Sequence, residues 1–270
     1  MHVKRFLRRL HCDDRTDGQR KVKKTTTTRT RRAATATPDP RPLADRVADA
    51  LAALERRASA QVRDGMTRYA IPNDHALGVA MKDVQAVAKL LGRDHALAAA
   101  LWDTGVYEAR MLTAYVAEPE RLTAAQMDAW ARQFDNWAVC DTLCFALFDR
   151  SPLAWGRAKA WSTRRDEFVR RAAFALVASM ALHHKQADDA PFRDSLDWIE
   201  RAADDERNFV KKAVSWALRS VGRRSTALHR DAVALSRRLA DSTVAPARWI
   251  GKDALRELTA AKTVARIRPA

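Results

Sequence analysis

The stretch Phe168-Val-Arg-Arg-Ala-Ala is one copy of a hexapeptide that recurs along this sequence. It returns 41 residues later as Phe209-Val-Lys-Lys-Ala-Val and, less closely, 40 residues after that as Trp249-Ile-Gly-Lys-Asp-Ala. An earlier, looser copy is Tyr107-Glu-Ala-Arg-Met-Leu. Each copy begins with an aromatic residue and has arginine or lysine at its fourth position. Recurrence at a nearly constant interval indicates a chain built from stacked structural repeats.

The interval and the apolar pattern together indicate the type of repeat. A period of about 40–47 residues is typical of HEAT-type units, in which each repeat contains antiparallel helices. From Leu43 onward, apolar residues follow helical spacing, and the 270 residues include only 8 Gly and 9 Pro. We therefore predict an all-α fold, a right-handed α-solenoid of HEAT-like antiparallel helix pairs over residues 43–270.

Capping and breaking residues predict where individual helices begin and end. Predicted starts lie at Thr123, Asp135 or Asn136, and Ser151-Pro152. Predicted stops lie at Gly78, Gly92, Gly105 and Gly222.

Residues 1–42 differ in composition from the rest of the chain. They contain thirteen Lys and Arg against four Asp, with a TTTT run and almost no periodic apolar residues. We predict a disordered basic tail, either an electrostatic arm for nucleic acid or an incorrectly assigned start. A transit-like leader is disfavoured by its acidic residues, Asp13, Asp14 and Asp17.

The remainder of the chain is also basic, since it retains +7 of the total formal charge of +16. A positive excess favours a polyanionic partner, although a merely solvated basic surface is the alternative. The cations at the fourth position of each hexapeptide would form a ladder along one face of a solenoid. The other interpretation is a set of ordinary amphipathic helices with basic outer faces. The predicted ladder consists of Arg110, Arg171, Lys212 and Lys252.

The chain has three cysteines, Cys12, Cys140 and Cys144, and this small, odd number argues against a disulfide framework. We expect a reducing compartment and a cytoplasmic location. Cys140 and Cys144 share one helix face without the partners of a zinc site, so we expect two small buried hydrophobes.

No apolar run approaches the roughly 18 residues of a membrane span, so we expect a soluble protein without a membrane partner.

Two tryptophans lie off the apolar stripes of their helices. Trp216 lies about 200° from Val214 at about 100° per residue, on the side of Lys212 and Arg219. Such an indole suits contact with sugars or bases, and the alternative is packing against a neighbouring repeat. Trp137 shares a helix face with Asp141, four residues on. A carboxylate that faces phosphates would weaken their binding by charge repulsion, so Asp141 is unusual on a surface that only binds phosphates. A partner arginine or a helix dipole is the other explanation for its presence.

Arg171 lies near the start of a helix, where a cation opposes the helix dipole. A phosphate bound at that helix end would meet both the guanidinium and free backbone N–H groups.

At these residues the sequence resembles the AlkD-like DNA alkylation-repair glycosylases, which consist of HEAT-like repeats. The resemblance covers roughly residues 60–258. It depends on the order and spacing of five motifs, which are Met66-Thr-Arg-Tyr69 with Gly78-Val79, Leu101-Trp102 with Glu108-Ala-Arg110, Asp135-Asn-Trp137-Ala-Val-Cys-Asp141, Phe168-Val-Arg-Arg171, and Val210-Lys-Lys-Ala-Val-Ser-Trp216-Ala-Leu-Arg219.

The resemblance implies a lesion site formed by Trp137, Asp141 and Trp216, with Arg171 on the DNA backbone. It implies excision of N-alkylated purines such as 3-methyladenine and 7-methylguanine from double-stranded DNA, without metal, cofactor or obligate protein partner. An alkylated purine is already cationic, so it leaves as a neutral base and positive charge develops on the sugar. Ionised Asp141 would stabilise that charge and orient water. Further DNA contacts are expected from Tyr69, Arg110, Lys212, Arg219 and Lys252.

Two other interpretations remain open at this point. The first is a HEAT-like scaffold that binds nucleic acid or protein without catalysis. The second, which the pattern supports poorly, is a metal hydrolase that uses His183, His184, Asp188 and Asp189, although adjacent residues on a helix point about 100° apart.

Overall fold

The computed structural model describes residues 39–267, and all regular secondary structure in that range is helical. Residues 1–38 of the predicted disordered tail lie outside the described residues. The first described helix, α1, spans Leu43–Glu55. Two helices, α2 (Ala60–Asp64) and α14 (Ala261–Val264), are short. Short 3-10 helices span Thr67–Tyr69, Pro119–Arg121 and Phe148–Arg150.

The longer helices form two layers because each amphipathic helix covers its apolar face against its neighbour along the chain. One layer, here called the odd-helix layer, contains helices that each contact the next one in the layer. Its members are α3 (Met81–Leu91), α5 (Tyr107–Val116), α7 (Trp137–Ala146), α9 (Glu167–His183), α11 (Asn208–Val221) and α13 (Ala245–Leu258).

The second layer lies behind the first and completes the helix pairs. It contains α1 and, further along the chain, α4 (His95–Asp103), α6 (Ala124–Ala131), α8 (Ala154–Trp161), α10 (Ala190–Arg201) and α12 (Thr226–Ala240). The fold is therefore the HEAT-like helical solenoid that the repeats predict. Among the described residues, every helix is too short or too polar to cross a lipid bilayer.

The predicted core stripes are buried. Val210, Val214 and Val221 of α11 have no exposed surface, and neither do Cys140 and Cys144 of α7. Both cysteines are free thiols, as expected for small apolar core residues. Helix α9 is buried almost around its whole circumference because α7 and α11 flank it and α8 lies behind it.

Most local signals are confirmed, and two are wrong. Thr123 caps α6, and Asn136 caps α7 by accepting hydrogen bonds from the N–H groups of Ala138 and Val139. Gly92, Gly105 and Gly222 end or follow helices. Gly78 lies in a loop and does not end a helix. The predicted start at Ser151-Pro152 is also wrong, since α8 begins at Ala154. The Ser151 hydroxyl accepts a hydrogen bond from the Leu153 N–H, within the turn that precedes the helix.

A close approach between α12 and α13 depends on Gly251. A Cβ atom at this position would lie 2.2 Å from the backbone nitrogen of Ala240. We expect Gly251→Ala to lower the free energy of unfolding by about 1–3 kcal/mol, because the two helices must separate. Gly156→Ala is the matched control, since a Cβ there meets nothing within 4 Å and alanine favours the helix by about 0.5–1 kcal/mol. Equal denaturation midpoints for the two variants would contradict this account of the α12–α13 contact.

Candidate active site

The centre of the site is an ion pair between Asp141 on α7 and Arg171 on α9. The Arg171 Nε and Nη2 groups donate to the two carboxylate oxygens at 2.9 and 2.7 Å. The Nη1 group donates to the backbone carbonyl of Phe209 at 2.8 Å. Exposed fractions of the two side chains are only 4% for Arg171 and 1% for Asp141. The pair therefore joins α7, α9 and α11 from within the odd-helix layer.

The charges of this pair affect each other through a largely water-free contact. Burial raises the pKa of Asp141, while the Arg171 guanidinium acts in the opposite direction. Burial alone would lower the pKa of Arg171, but the Asp141 carboxylate reverses this effect and raises it. The partner arginine is thus the explanation of Asp141 that the structure supports.

Trp137 occupies the first turn of α7, one turn before Asp141. Its indole Nε1–H donates to the backbone carbonyl of Tyr69 at 2.7 Å, and the residue is 5% exposed. The 3-10 turn Thr67–Tyr69 therefore covers the start of α7. The sequence alone does not predict this contact, since it joins residues 68 positions apart.

Trp216 on α11 is half-buried and stacks on Phe145 of α7. The two rings are nearly parallel, with centroids 4.9 Å apart and an interplanar angle of 4°. Because α9 lies between α7 and α11, the two rings meet across α9. We did not predict a role for Phe145. Its spacing is nevertheless informative, because Trp137, Asp141 and Phe145 are four residues apart and share one helix face.

Glu108 fixes the segment that follows Tyr69. It is fully buried, and its carboxylate accepts hydrogen bonds from the backbone N–H groups of Leu77, Gly78 and Val79 at 2.8–3.0 Å. Gly78 has a φ of +85°, and a Cβ there would lie 2.3 Å from the Ser59 carbonyl oxygen. The motifs around Gly78 and Glu108 thus have a shared structural role, which we did not predict.

The predicted ladder of cations is interrupted. Arg171 is turned into the layer, so in this conformation it contacts Asp141 rather than a surface that a phosphate can reach. Arg110 lies 4.9 Å above the Trp102 ring and donates to Gln133. Lys212 and Lys252 are exposed.

The two other predicted DNA contacts have different surroundings. Arg219 is mostly covered and pairs with Glu257 and Asp253. Tyr69 is 46% exposed, and its backbone carbonyl binds Trp137.

A cleft of about 400 Å³ lies beside the site, at the start of α9. It does not include Asp141 or either predicted indole. It is lined by Thr67, Ala70, Ile71, Pro72, Asp135, Glu167, Phe168 and Phe209. Within residues 39–267, no group of three or more His, Cys, Asp and Glu side chains has the arrangement of a metal site. His183 instead contacts Asp149, with 2.5 Å between Nδ1 and the carboxylate.

Solved structures resemble the chain to different degrees. One belongs to "a new family of proteins related to the HEAT-like repeat DNA glycosylases with affinity for branched DNA structures". It has a TM-score of 0.65 and 18% identity, covering 78% of this chain and 94% of that chain. Another, smu.31 from Streptococcus mutans UA159, has a TM-score of 0.46 and 19% identity, covering 78% of this chain and 95% of that chain.

Comparison of the sequence with known families leads to a more definite assignment. No curated protein matches the chain significantly. A family model described as "DNA alkylation repair enzyme" matches residues 50–258, which is more than half of the chain. This match covers both helix layers and every residue of the candidate site. The chain therefore belongs to the DNA alkylation repair enzyme family.

Proposed function

We propose that this protein is a DNA glycosylase that excises cationic N-alkylated purines, such as 3-methyladenine and 7-methylguanine, by hydrolysis of the N-glycosidic bond. The observation that carries the proposal is the position of Asp141 on α7, one turn from Trp137, where it pairs with Arg171 of α9. The second indole, Trp216, stacks on Phe145 one turn further along α7. Family membership supports the same class of substrate.

The proposed chemistry requires little from the protein beyond a fixed negative charge. An alkylated purine leaves as a neutral base, so no general acid is needed. The sugar becomes positively charged, and an ionised Asp141 would stabilise it and orient the attacking water. Arg171 would help to keep the carboxylate ionised despite its burial. The two indoles would contact the deoxyribose and favour its positive charge through their ring faces.

Access to the carboxylate is a requirement of this proposal. Asp141 is almost completely buried in the present conformation, and the Phe145–Trp216 stack lies one turn along α7. A damaged nucleotide must therefore displace covering side chains before the sugar reaches Asp141. The exposed lysines Lys212 and Lys252 would bind flanking phosphates, so that binding weakens as salt increases.

The test is release of 7-methylguanine from methylated duplex DNA by the purified protein. We expect release above the spontaneous rate, and we expect Asp141→Asn to reduce it by about 100-fold or more, since it removes the proposed electrostatic stabilisation. Asp205→Asn is the matched control, because Asp205 is also a buried acid paired with arginine but lies outside the site. It should keep full activity.

A second candidate function is binding of branched DNA without catalysis. The burial of Asp141 favours it, and the structural relative with the same fold is described as having such affinity. This function predicts no release of methylated bases by folded protein that binds DNA. It also predicts that Asp141→Asn leaves DNA affinity unchanged, whereas Lys212→Glu and Lys252→Glu together abolish it.

A further inference from the structure

Trp249 stands out from the other tryptophans by its exposure. All eight tryptophans of the chain lie in the described range, and Trp249 is the most exposed of them, at 41%. It lies in the second turn of α13 and is the last aromatic of the hexapeptide series. The preceding member, Phe209, is partly covered by Phe168, with ring centroids 5.3 Å apart. The aromatic series therefore ends in an indole that faces solvent.

The surroundings of this indole are positively charged. The Lys211 Nζ atom lies 5.2 Å from the centre of the Trp249 ring, in cation–π contact. Lys212 on α11 and Lys252 on α13 are exposed, and no ion pair involves either of them within the described part of the chain. Arg248 precedes the indole, and its guanidinium donates to the carbonyls of Ser242 and Thr243.

The nearby acids are already compensated. Asp253 accepts a hydrogen bond from Ser215 and contacts Arg256. Glu257 pairs with both Arg219 and Arg223. The lysines around Trp249 therefore retain charge that is available for a polyanion. An exposed indole with unpaired lysines on two helices is an arrangement that binds the base and the phosphates of an unpaired nucleotide.

We propose that Trp249 is a stacking site for an unpaired base of DNA, with Lys211, Lys212 and Lys252 holding the neighbouring phosphates. The proposal rests on the DNA binding that both candidate functions require, and it assigns to that binding a site for an unpaired base. In a continuous duplex both faces of each base are already stacked, so the indole gains little. At a fork, a branch or an overhang, one face is open. The site therefore favours DNA with unpaired nucleotides over intact duplex.

The test compares a fluorescent duplex with a fork that shares its sequence and has an unpaired arm. We expect wild-type protein to bind the fork more tightly. Trp249→Ala should weaken fork binding by about 10-fold, since it removes the ring on which the unpaired base stacks. It should change duplex affinity by less than about twofold. Trp249→Phe should keep most of the preference. Trp198→Ala, which removes a half-buried indole of the other layer, is the matched control and should change neither affinity.

A second measurement separates stacking from a general loss of affinity. The adenine analogue 2-aminopurine, placed in the unpaired arm, loses fluorescence when it stacks on an aromatic ring. Wild-type protein at saturation should quench it, and Trp249→Ala should not. Equal loss of fork and duplex binding, or quenching that persists in Trp249→Ala, would overturn the proposal. Release of 7-methylguanine from methylated duplex should be unchanged in Trp249→Ala, so failure of the glycosylase proposal is distinguishable from failure of this one.

Discussion

Replacing Arg171 by methionine is expected to lower the free energy of unfolding by about 3–5 kcal/mol. The substitution leaves the Asp141 carboxylate inside the odd-helix layer without its two hydrogen-bond donors, and it also removes the bond to the Phe209 carbonyl. An uncompensated buried charge is costly because water no longer solvates it. Chemical denaturation monitored by circular dichroism measures this change directly.

The pH dependence of the Arg171→Met variant provides a further check. Burial raises the pKa of Asp141, and without the guanidinium nothing opposes this effect. A carboxyl group whose pKa is higher in the folded state binds its proton more tightly there, so the variant should regain stability as pH falls. The wild type should show a smaller dependence in the same range.

Two comparisons make this prediction specific. Arg170→Met removes the neighbouring arginine, which is more exposed and shares Asp205 with Arg207, so a loss of about 1 kcal/mol is expected. The double variant Asp141→Leu with Arg171→Met should recover most of the stability, because no charge remains buried. If Arg171→Met alone proved as stable as the wild type while losing DNA affinity, Arg171 would be a surface phosphate ligand instead.

Replacing Glu108 by alanine is expected to cost about 3 kcal/mol or more, the second of the two largest effects. Its carboxylate satisfies three consecutive backbone N–H groups, and hydrogen bonds to a charged group contribute about 1.5–3 kcal/mol each. Part of the loss is recovered as the segment of residues 70–79 opens and its N–H groups bind water. Denaturation and limited proteolysis of this segment measure the two consequences separately.

Glu108→Gln is the matched variant for this prediction. The single amide oxygen of glutamine can still accept hydrogen bonds from the N–H groups of Gly78 and Val79. The amide NH2 group then faces the Leu77 N–H, so two donors oppose each other. We expect a smaller loss of stability than for alanine. Glu120→Ala, an exposed acid in the 3-10 turn Pro119–Arg121, should have almost no effect. Unchanged protease resistance of residues 70–79 in Glu108→Ala would show that the carboxylate does not anchor this segment.

The helical fold was predictable because its signals are local and repeated. A hexapeptide returning after 41 and 40 residues locates equivalent turns of successive helices, and Asn136 and Thr123 mark starts by side-chain capping. Periodic apolar residues such as Val210 and Val214 then identify the buried face. These features depend on chain geometry over a few turns, so one sequence is sufficient.

The site was only partly predictable because equivalent positions have different neighbours. The hexapeptide places Arg171 and Lys212 at the same turn of their helices, but Arg171 faces Asp141 of the preceding repeat and is buried, whereas Lys212 is exposed. Which side chain lies opposite depends on packing between residues 30 or more positions apart. The same limit applies to the stack of Phe145 on Trp216, since neither helical periodicity nor composition specifies a ring pair across α9.

The bond between Trp137 and residue 69 uses a main-chain oxygen as its acceptor. Every amino acid supplies that oxygen, so a substitution of the tyrosine side chain at position 69 leaves the acceptor of the Trp137 hydrogen bond in place. The side chain at position 69 can accordingly change its contacts during evolution without loss of the bond that orients Trp137.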